Sequence, residues 1–159
     1  MMKITVIALS SLKEKYLKDA SAEYAKRLGA FCDLKIIELA PVRLPEKPSH
    51  AEISSALERE AELINKKIPT GDFIVPLCIE GKQLSSEEFA DTVSKEMNIG
   101  RGITFVIGSS CGLADSIKRL ADLKLSFSKM TFPHQLFRVM LLEQIYRAFK
   151  ISSGGAYHK

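Results

Sequence analysis

Chemistry-bearing side chains crowd together after residue 123. Ser126, Ser128, Thr131, His134 and Gln135 offer a dense set of donors and acceptors, Glu143 and Arg147 follow four residues apart, and Tyr157, His158 and Lys159 come after Gly154-Gly155. A Ser-His-Asp relay is excluded in the hydroxyl-rich stretch, because no acidic residue stands there to orient the histidine. Metal catalysis lacks ligands, since His50, His134 and His158 lie far apart with no HxxxH spacing and no paired carboxylates beside them. Group transfer or binding remains. Gly108-Ser109-Ser110-Cys111-Gly112 lacks the GxGxxG and GK[ST] spacings of phosphate loops. Its glycines and small hydroxyls suit a neutral or zwitterionic cofactor whose ring lies against the backbone, and a plain tight turn is the alternative. Alone, His134 also reads as a polar residue near a helix start, Glu143 with Arg147 as an ordinary i,i+4 pair, and the tail as a frayed terminus.

These residues need a frame to bring them together, and the hydrophobic pattern supplies one. Strands are expected at Lys3 to Ala8, Phe31 to Leu39, Phe73 to Ile79, Ile103 to Ile107 and Leu123 to Phe127. Pro76 removes a ladder donor from the third and marks an edge position or a local break. Helices are expected from Glu14 to Leu28, with Tyr16, Ala20, Tyr24 and Leu28 on one stripe and Gly29 as the cap, and from Ser49 to about Ile68. Others run from Ser85 to about Asn98, from Ser116 to Ala121, and from His134 to Lys150 with Thr131 as N-cap. Ser49 with Glu52 and Ser85 with Glu88 are capping boxes. The alternation gives an α/β domain with a mainly parallel sheet and helices on both faces, whose ligands bind beyond the carboxyl ends of the strands. The loops after Ile79, Ile107 and Phe127 are therefore the site candidates.

On a wheel of about 100° per residue, the last helix places His134 and Arg138 on one side and Glu143, Arg147 and Lys150 roughly opposite. Leu136, Phe137 and Met140 fill one flank, and Val139, Leu142, Tyr146 and Phe149 the other. A helix apolar nearly all round is a buried one. A sheet covers one flank, so the other is expected to meet a second copy of the chain, in a homodimer built on Leu136 to Phe149, the alternative being a central helix in the core of one monomer.

The 159 residues fit one domain spanning 1–159, with 46% hydrophobic and 26% charged residues. No apolar run approaches the length of a membrane span and no secretory leader is evident, so a cytoplasmic protein is expected. Cys32, Cys78 and Cys111 show no CxxC spacing and are read as buried, reduced thiols. Residues 1–123 carry 17 basic and 18 acidic groups and residues 124–159 carry 6 and 1, which suggests that a polyanion meets the C-terminal region.

The run LSFSKMTFPHQ, followed by RVxLxEQxYRAxxI and a terminal YHK, closely resembles the ribosomal RNA large subunit methyltransferase H family of the SPOUT superfamily. The resemblance extends from the KITV start through the KEKY segment, the GK at Gly81 and the FVIG strand end. It implies a trefoil-knotted α/β domain, a homodimer, and methyl transfer from S-adenosylmethionine to N3 of a pseudouridine in 23S ribosomal RNA of the assembled ribosome. Carried over by position, it implies that Leu77, Gly108, Phe127, Ser128, Lys129, Met130, Thr131 and Phe132 form the cofactor pocket. Glu143, Arg147, Tyr157 and His158 fall on the acceptor side. Uracil N3 is protonated at neutral pH, so a base is needed: Glu143 or His158 takes the proton, Arg147 stabilises the negative oxygens, Tyr157 stacks and Lys159 contacts phosphate. Ser109 stands where a second glycine is common, and Ala156 where some members have proline. A left-handed backbone at 109 would strain Ser109. The rivals are a non-catalytic RNA-binding module and a flavodoxin-like nucleotide-binding protein, the second of which needs a phosphate loop.

Overall fold

Two apolar runs lie side by side at the middle of the sheet. β1 (Met2–Ala8) and β4 (Ile103–Ile107) pair in parallel from Ile4 opposite Ile103 to Ala8 opposite Ile107. Side chains alternate across a strand, so Ile4, Val6, Ile103 and Phe105 enter one core while Ile7 and Val106 enter the other. The computed structural model describes residues 1–158, and its remaining strands are β2 (Cys32–Glu38), β3 (Phe73–Gln83) and β5 (Leu125–Ser126). All five run parallel in the order β2-β1-β4-β3-β5.

Helices cover both faces. α1 (Lys15–Leu28), α3 (Ser86–Asn98) and α5 (His134–Ser152) supply Leu28, Phe89, Val93, Leu141, Ile145 and Phe149 to the larger core. α2 (His50–Asn65) and α4 (Asp115–Arg119) supply Ala61, Ile64 and Ile117 to the smaller one. The Ser49–Glu52 and Ser85–Glu88 capping boxes form reciprocally, each satisfying two backbone donors at a helix start.

Several expectations are corrected. β3 lies inside the sheet and continues to Gln83: Pro76 still pairs Val106 of β4, and from Leu77 the strand pairs β5 instead. Pro76 thus marks a change of partner, where a missing N–H costs least. α1 turns Leu17, Ser21 and Leu28 inward and leaves Tyr16 69% exposed, so the buried stripe is offset from the expected one. α5 is preceded by Pro133 as its cap residue, not Thr131, because proline disfavours a helical backbone at the residue before it. Only Cys32 is buried, its thiol pushed up to about 11 by desolvation, while Cys78 is half-buried and Cys111 exposed.

The last helix is corrected most. Leu142 is fully buried within one chain, and α1 and α3 flank α5 from both sides. Phe31 stacks on Phe149 at 5.6 Å, and Ser86 Oγ donates to Gln144 at 2.8 Å. The inward face is therefore the Arg138 side, with Leu141, Leu142, Ile145, Ala148 and Phe149. Leu136, Val139, Met140, Glu143 and Arg147 form a half-buried stripe on the opposite side.

Candidate active site

The second half of β3, Leu77 to Glu80, and the loops after β4 and β5 enclose a cleft of about 530 Å³, so the segment expected as a loop after Ile79 is strand instead. β4 and β5 are not neighbours, and it is β3 between them that brings their loops together. After Ile107 the chain folds back on itself, with the Gly112 N–H donating to the Ser109 carbonyl at 2.9 Å and Gly112 at φ +86°. A Cβ at Gly108 would collide with the Gly112 carbonyl, so the loop itself demands this glycine before any ligand does. Ser109 carries no positive φ and is unstrained. Its hydroxyl donates to Glu60 Oε1 at 2.9 Å, and Glu60 Oε2 accepts the Val42 N–H at 2.8 Å. Glu60 is only 3% exposed, so a buried carboxylate ties the cleft loop to the proline-rich connection before α2.

The loop after β5 braces itself. Ser126 Oγ donates to the Ser128 carbonyl at 3.1 Å, and Ser128 Oγ accepts the Met130 N–H at 3.0 Å. Phe137 meets Phe127 at 5.8 Å and Phe132 at 5.5 Å, edge to face in both cases, which makes an aromatic wall. A second hollow of about 280 Å³ is lined by Ser85, Ser86, Phe89, Met140, Glu143 and Gln144. Leu125, Ser126 and Phe127 line both hollows, so β5 and Phe127 are a shared partition.

Around Glu143 the tail folds back onto α5. Arg147 grips the carboxylate with Nη2 at 2.8 Å and Nε at 3.3 Å, and the Tyr157 hydroxyl donates to Oε1 at 3.0 Å. The Arg147 guanidinium also lies 4.8 Å from the Tyr157 ring centre. Arg147 Nη1 is 3.1 Å from His158 Nδ1, and His158 Nε2 is 2.6 Å from Glu87 Oε1. Arginine only donates and an ionised carboxylate only accepts, so Nδ1 is bare and Nε2 carries the proton.

A family model described as predicted SPOUT methyltransferase matches residues 2–158. The chain belongs to the SPOUT methyltransferases. It is similar at full length to ribosomal RNA large subunit methyltransferase H of Streptococcus equi subsp. equi (strain 4047), 51% identical over 99% of this chain and 100% of that one. The protein of that name from Clostridium acetobutylicum is 53% identical over the same shares. The SpoU methyltransferase AviRb of Streptomyces viridochromogenes, solved with AdoMet, superposes with a TM-score of 0.47 at 12% identity, covering 97% of this chain and 59% of that one.

In this SPOUT methyltransferase Leu77, Gly108, Phe127, Ser128, Thr131 and Phe132 line the cleft, whereas Lys129 and Met130 do not, and Met130 is 73% exposed. Glu143, Arg147, Tyr157 and His158 are brought into one connected cluster, and Lys159 lies outside the described residues. Desolvation, then the bond to Glu143, pushes the Tyr157 phenol up to about 12, so it stays a donor at neutral pH. The bond from His158 holds the Glu87 carboxyl below its usual range. Sequence reasoning missed Glu87, Glu80 and Lys118. Glu87 falls inside a capping box, where an acidic residue needs no further explanation, and Glu80 and Lys118 are joined only by the fold. No group of three or more metal-ligating side chains is assembled among the described residues. No helix among them is long and apolar enough to cross a membrane.

Proposed function

We propose that this methyltransferase takes S-adenosylmethionine into the larger cleft and methylates N3 of a pseudouridine in 23S ribosomal RNA of the assembled ribosome. The names of its half-identical relatives carry the ribosomal part of this reading, and the shared partition carries the chemical part. A donor in one hollow and an acceptor base in the other would have to meet at the edge the two share, Leu125 to Phe127, with Glu143 on the acceptor side. The residues fit the donor. Leu77, Ile107, Leu113 and the aromatic wall suit an adenosine, Ser109, Ser128 and Thr131 supply small polar groups, and no cluster of cations invites a polyphosphate. Lys129 and Met130 flank this pocket and do not line it.

When bound, S-adenosylmethionine supplies a methyl group on a sulfonium sulfur. The chain's part is to position the base and take away the N3 proton. Glu143 is the proton acceptor in this reading, although its oxygens already accept from Arg147 and Tyr157. Turning Arg147 toward the carbonyl oxygens beside N3 would stabilise the charge that develops there and release Glu143 to act as base. His158 positions Arg147 through Nδ1, and Tyr157 presents a ring for stacking.

The remaining parts follow the resemblance: one domain over residues 1–159, a trefoil knot, a homodimer, and a cytoplasmic location where ribosomes are met. The knot follows the resemblance alone; the β3–β5 ladder shifts register at Leu125, which lies opposite both Leu77 and Lys82. The test removes Tyr157 to Lys159. Fold and S-adenosylmethionine affinity by calorimetry should persist while methylation of ribosomes is lost. Wild-type methylation by the truncated chain would refute the assigned acceptor cluster. The absence of saturable heat with S-adenosylmethionine in the full chain would instead favour a binding module.

A further inference from the structure

Among the described residues lining the larger cleft, only Glu80 and Lys118 bear opposite charges, and they are paired at 2.5 Å between Lys118 Nζ and Glu80 Oε1. Glu80 comes from the late part of β3 and Lys118 from α4, so the pair bridges two walls. The hydrogen bond between them holds the Glu80 carboxyl below and the Lys118 ammonium above their ordinary ranges, and both are charged at neutral pH. The other titratable groups that line the cleft and show a shift favour their neutral forms. Burial lowers His134 and raises the Cys78 thiol. The cleft therefore offers one anion and one cation side by side, and no more. A phosphate would gain Lys118 and meet repulsion from Glu80. An α-amino acid end presents a carboxylate and an ammonium a few ångströms apart, which two adjacent opposite charges match without any net change of charge in the cleft.

We propose that Lys118 and Glu80 form the subsite for the amino acid end of the cofactor, Lys118 receiving its carboxylate and Glu80 its ammonium. This rests on the cleft being the S-adenosylmethionine site. The pair is well suited to opening. Its side chains are 24% and 54% exposed, and such surface pairs contribute little to stability, so each partner can take a second ligand at small cost. Lys118 has three donor hydrogens and Glu80 two acceptor oxygens, enough for a closed ring of four alternating charges. The subsite would hold S-adenosylmethionine and S-adenosylhomocysteine alike, so it sets affinity for both and does not act on the methyl-transfer step.

Calorimetry with three ligands tests this: S-adenosylmethionine, S-adenosylhomocysteine, and 5′-methylthioadenosine, which keeps the nucleoside and sulfur but lacks the amino acid. The wild type should bind the first two more tightly than the third. Lys118→Met and Glu80→Gln should each weaken the first two by about 10-fold, the scale of one charge-assisted hydrogen bond. Both variants should leave 5′-methylthioadenosine unchanged, which also reports an intact cleft. A parallel loss for all three ligands would assign the pair a structural role and overturn the subsite. Unchanged S-adenosylmethionine affinity in both variants would overturn it too, with the methyl-transfer reading left standing. A wild type giving no heat with any of the three overturns both.

Discussion

Glu60 and His134 are the two residues near the cleft whose surroundings make sharp demands. Glu60 is buried and serves two donors, the Ser109 hydroxyl and the Val42 N–H. Glu60→Ala leaves two half-buried donors without their shared acceptor and should destabilise the fold by about 1–3 kcal/mol, whereas Ser109→Ala keeps the Val42 bond and should cost less, about 0.5–1.5 kcal/mol. Urea unfolding measures both, and equal costs would mean that the Val42 contact is worth nothing. His134 sits at the cleft with its pKa lowered from 6.5, first by burial and then by Arg138 and Lys13. The unfolded chain then binds the proton more readily than the folded one. The stability contribution is complete above pH 6.5, the unfolded value, and is lost as pH falls through the lower folded pKa. His134→Gln should flatten the decline of Tm in acid, and an unaltered pH profile would show that the imidazole is not the group responsible.

The elements were largely legible because each announces itself locally. Capping boxes, a glycine or proline past a helix end, and continuous apolar runs within the sheet are short-range signals, and the helices and strands fall within a few residues of their expected bounds. What was hidden depends on contacts distant in sequence. β3 runs beyond Ile79 because β5 offers it a partner at Lys82 and Gln83, and β5 itself is only two residues long. Of the site, the loops after Ile107 and Phe127 were readable as strand ends and Glu143 with Arg147 as a spacing, whereas the loop expected after Ile79 is a continuation of β3. The Glu87–His158 and Glu80–Lys118 contacts, 71 and 38 residues apart, had no local mark. α5 shows the same division. Its apolar flanks were visible, but that α1 and α3 cover them was not. Leu142→Asp therefore tests the interior of one chain: beyond the about 2–5 kcal/mol of a lost leucine it buries a charge, against a total stability of about 5–15 kcal/mol. Loss of the folded far-UV and near-UV signals together is expected, and a folded monomer would contradict the packing described.

At the scale of the whole molecule, the outer stripe of α5 asks what covers it. Leu136, Val139 and Met140 are half-buried beside Glu143 and Arg147, so an apolar strip adjoins the proposed acceptor cluster on one helix face. A twofold contact through such a strip would be isologous and would bring two acceptor clusters close together. It would also shield the Glu143–Arg147 pair, which is only partly buried in one chain, from water and strengthen it. The proposed homodimer is thus best probed at Val139, which is not among the buried core of the single chain. Val139→Asp should leave the fold and the cleft intact, because the residue lies opposite the inward face, while placing a charge where a partner would have to desolvate it. Sedimentation of the wild type should give twice the mass of one chain, and the variant should sediment as a monomer that binds S-adenosylmethionine normally but methylates ribosomes at least about 10-fold more slowly, the loss expected if about 1.4 kcal/mol of transition-state stabilisation depends on the partner. A monomeric variant with undiminished methylation would mean that one chain holds a complete site, and a dimeric variant would move the interface off this helix.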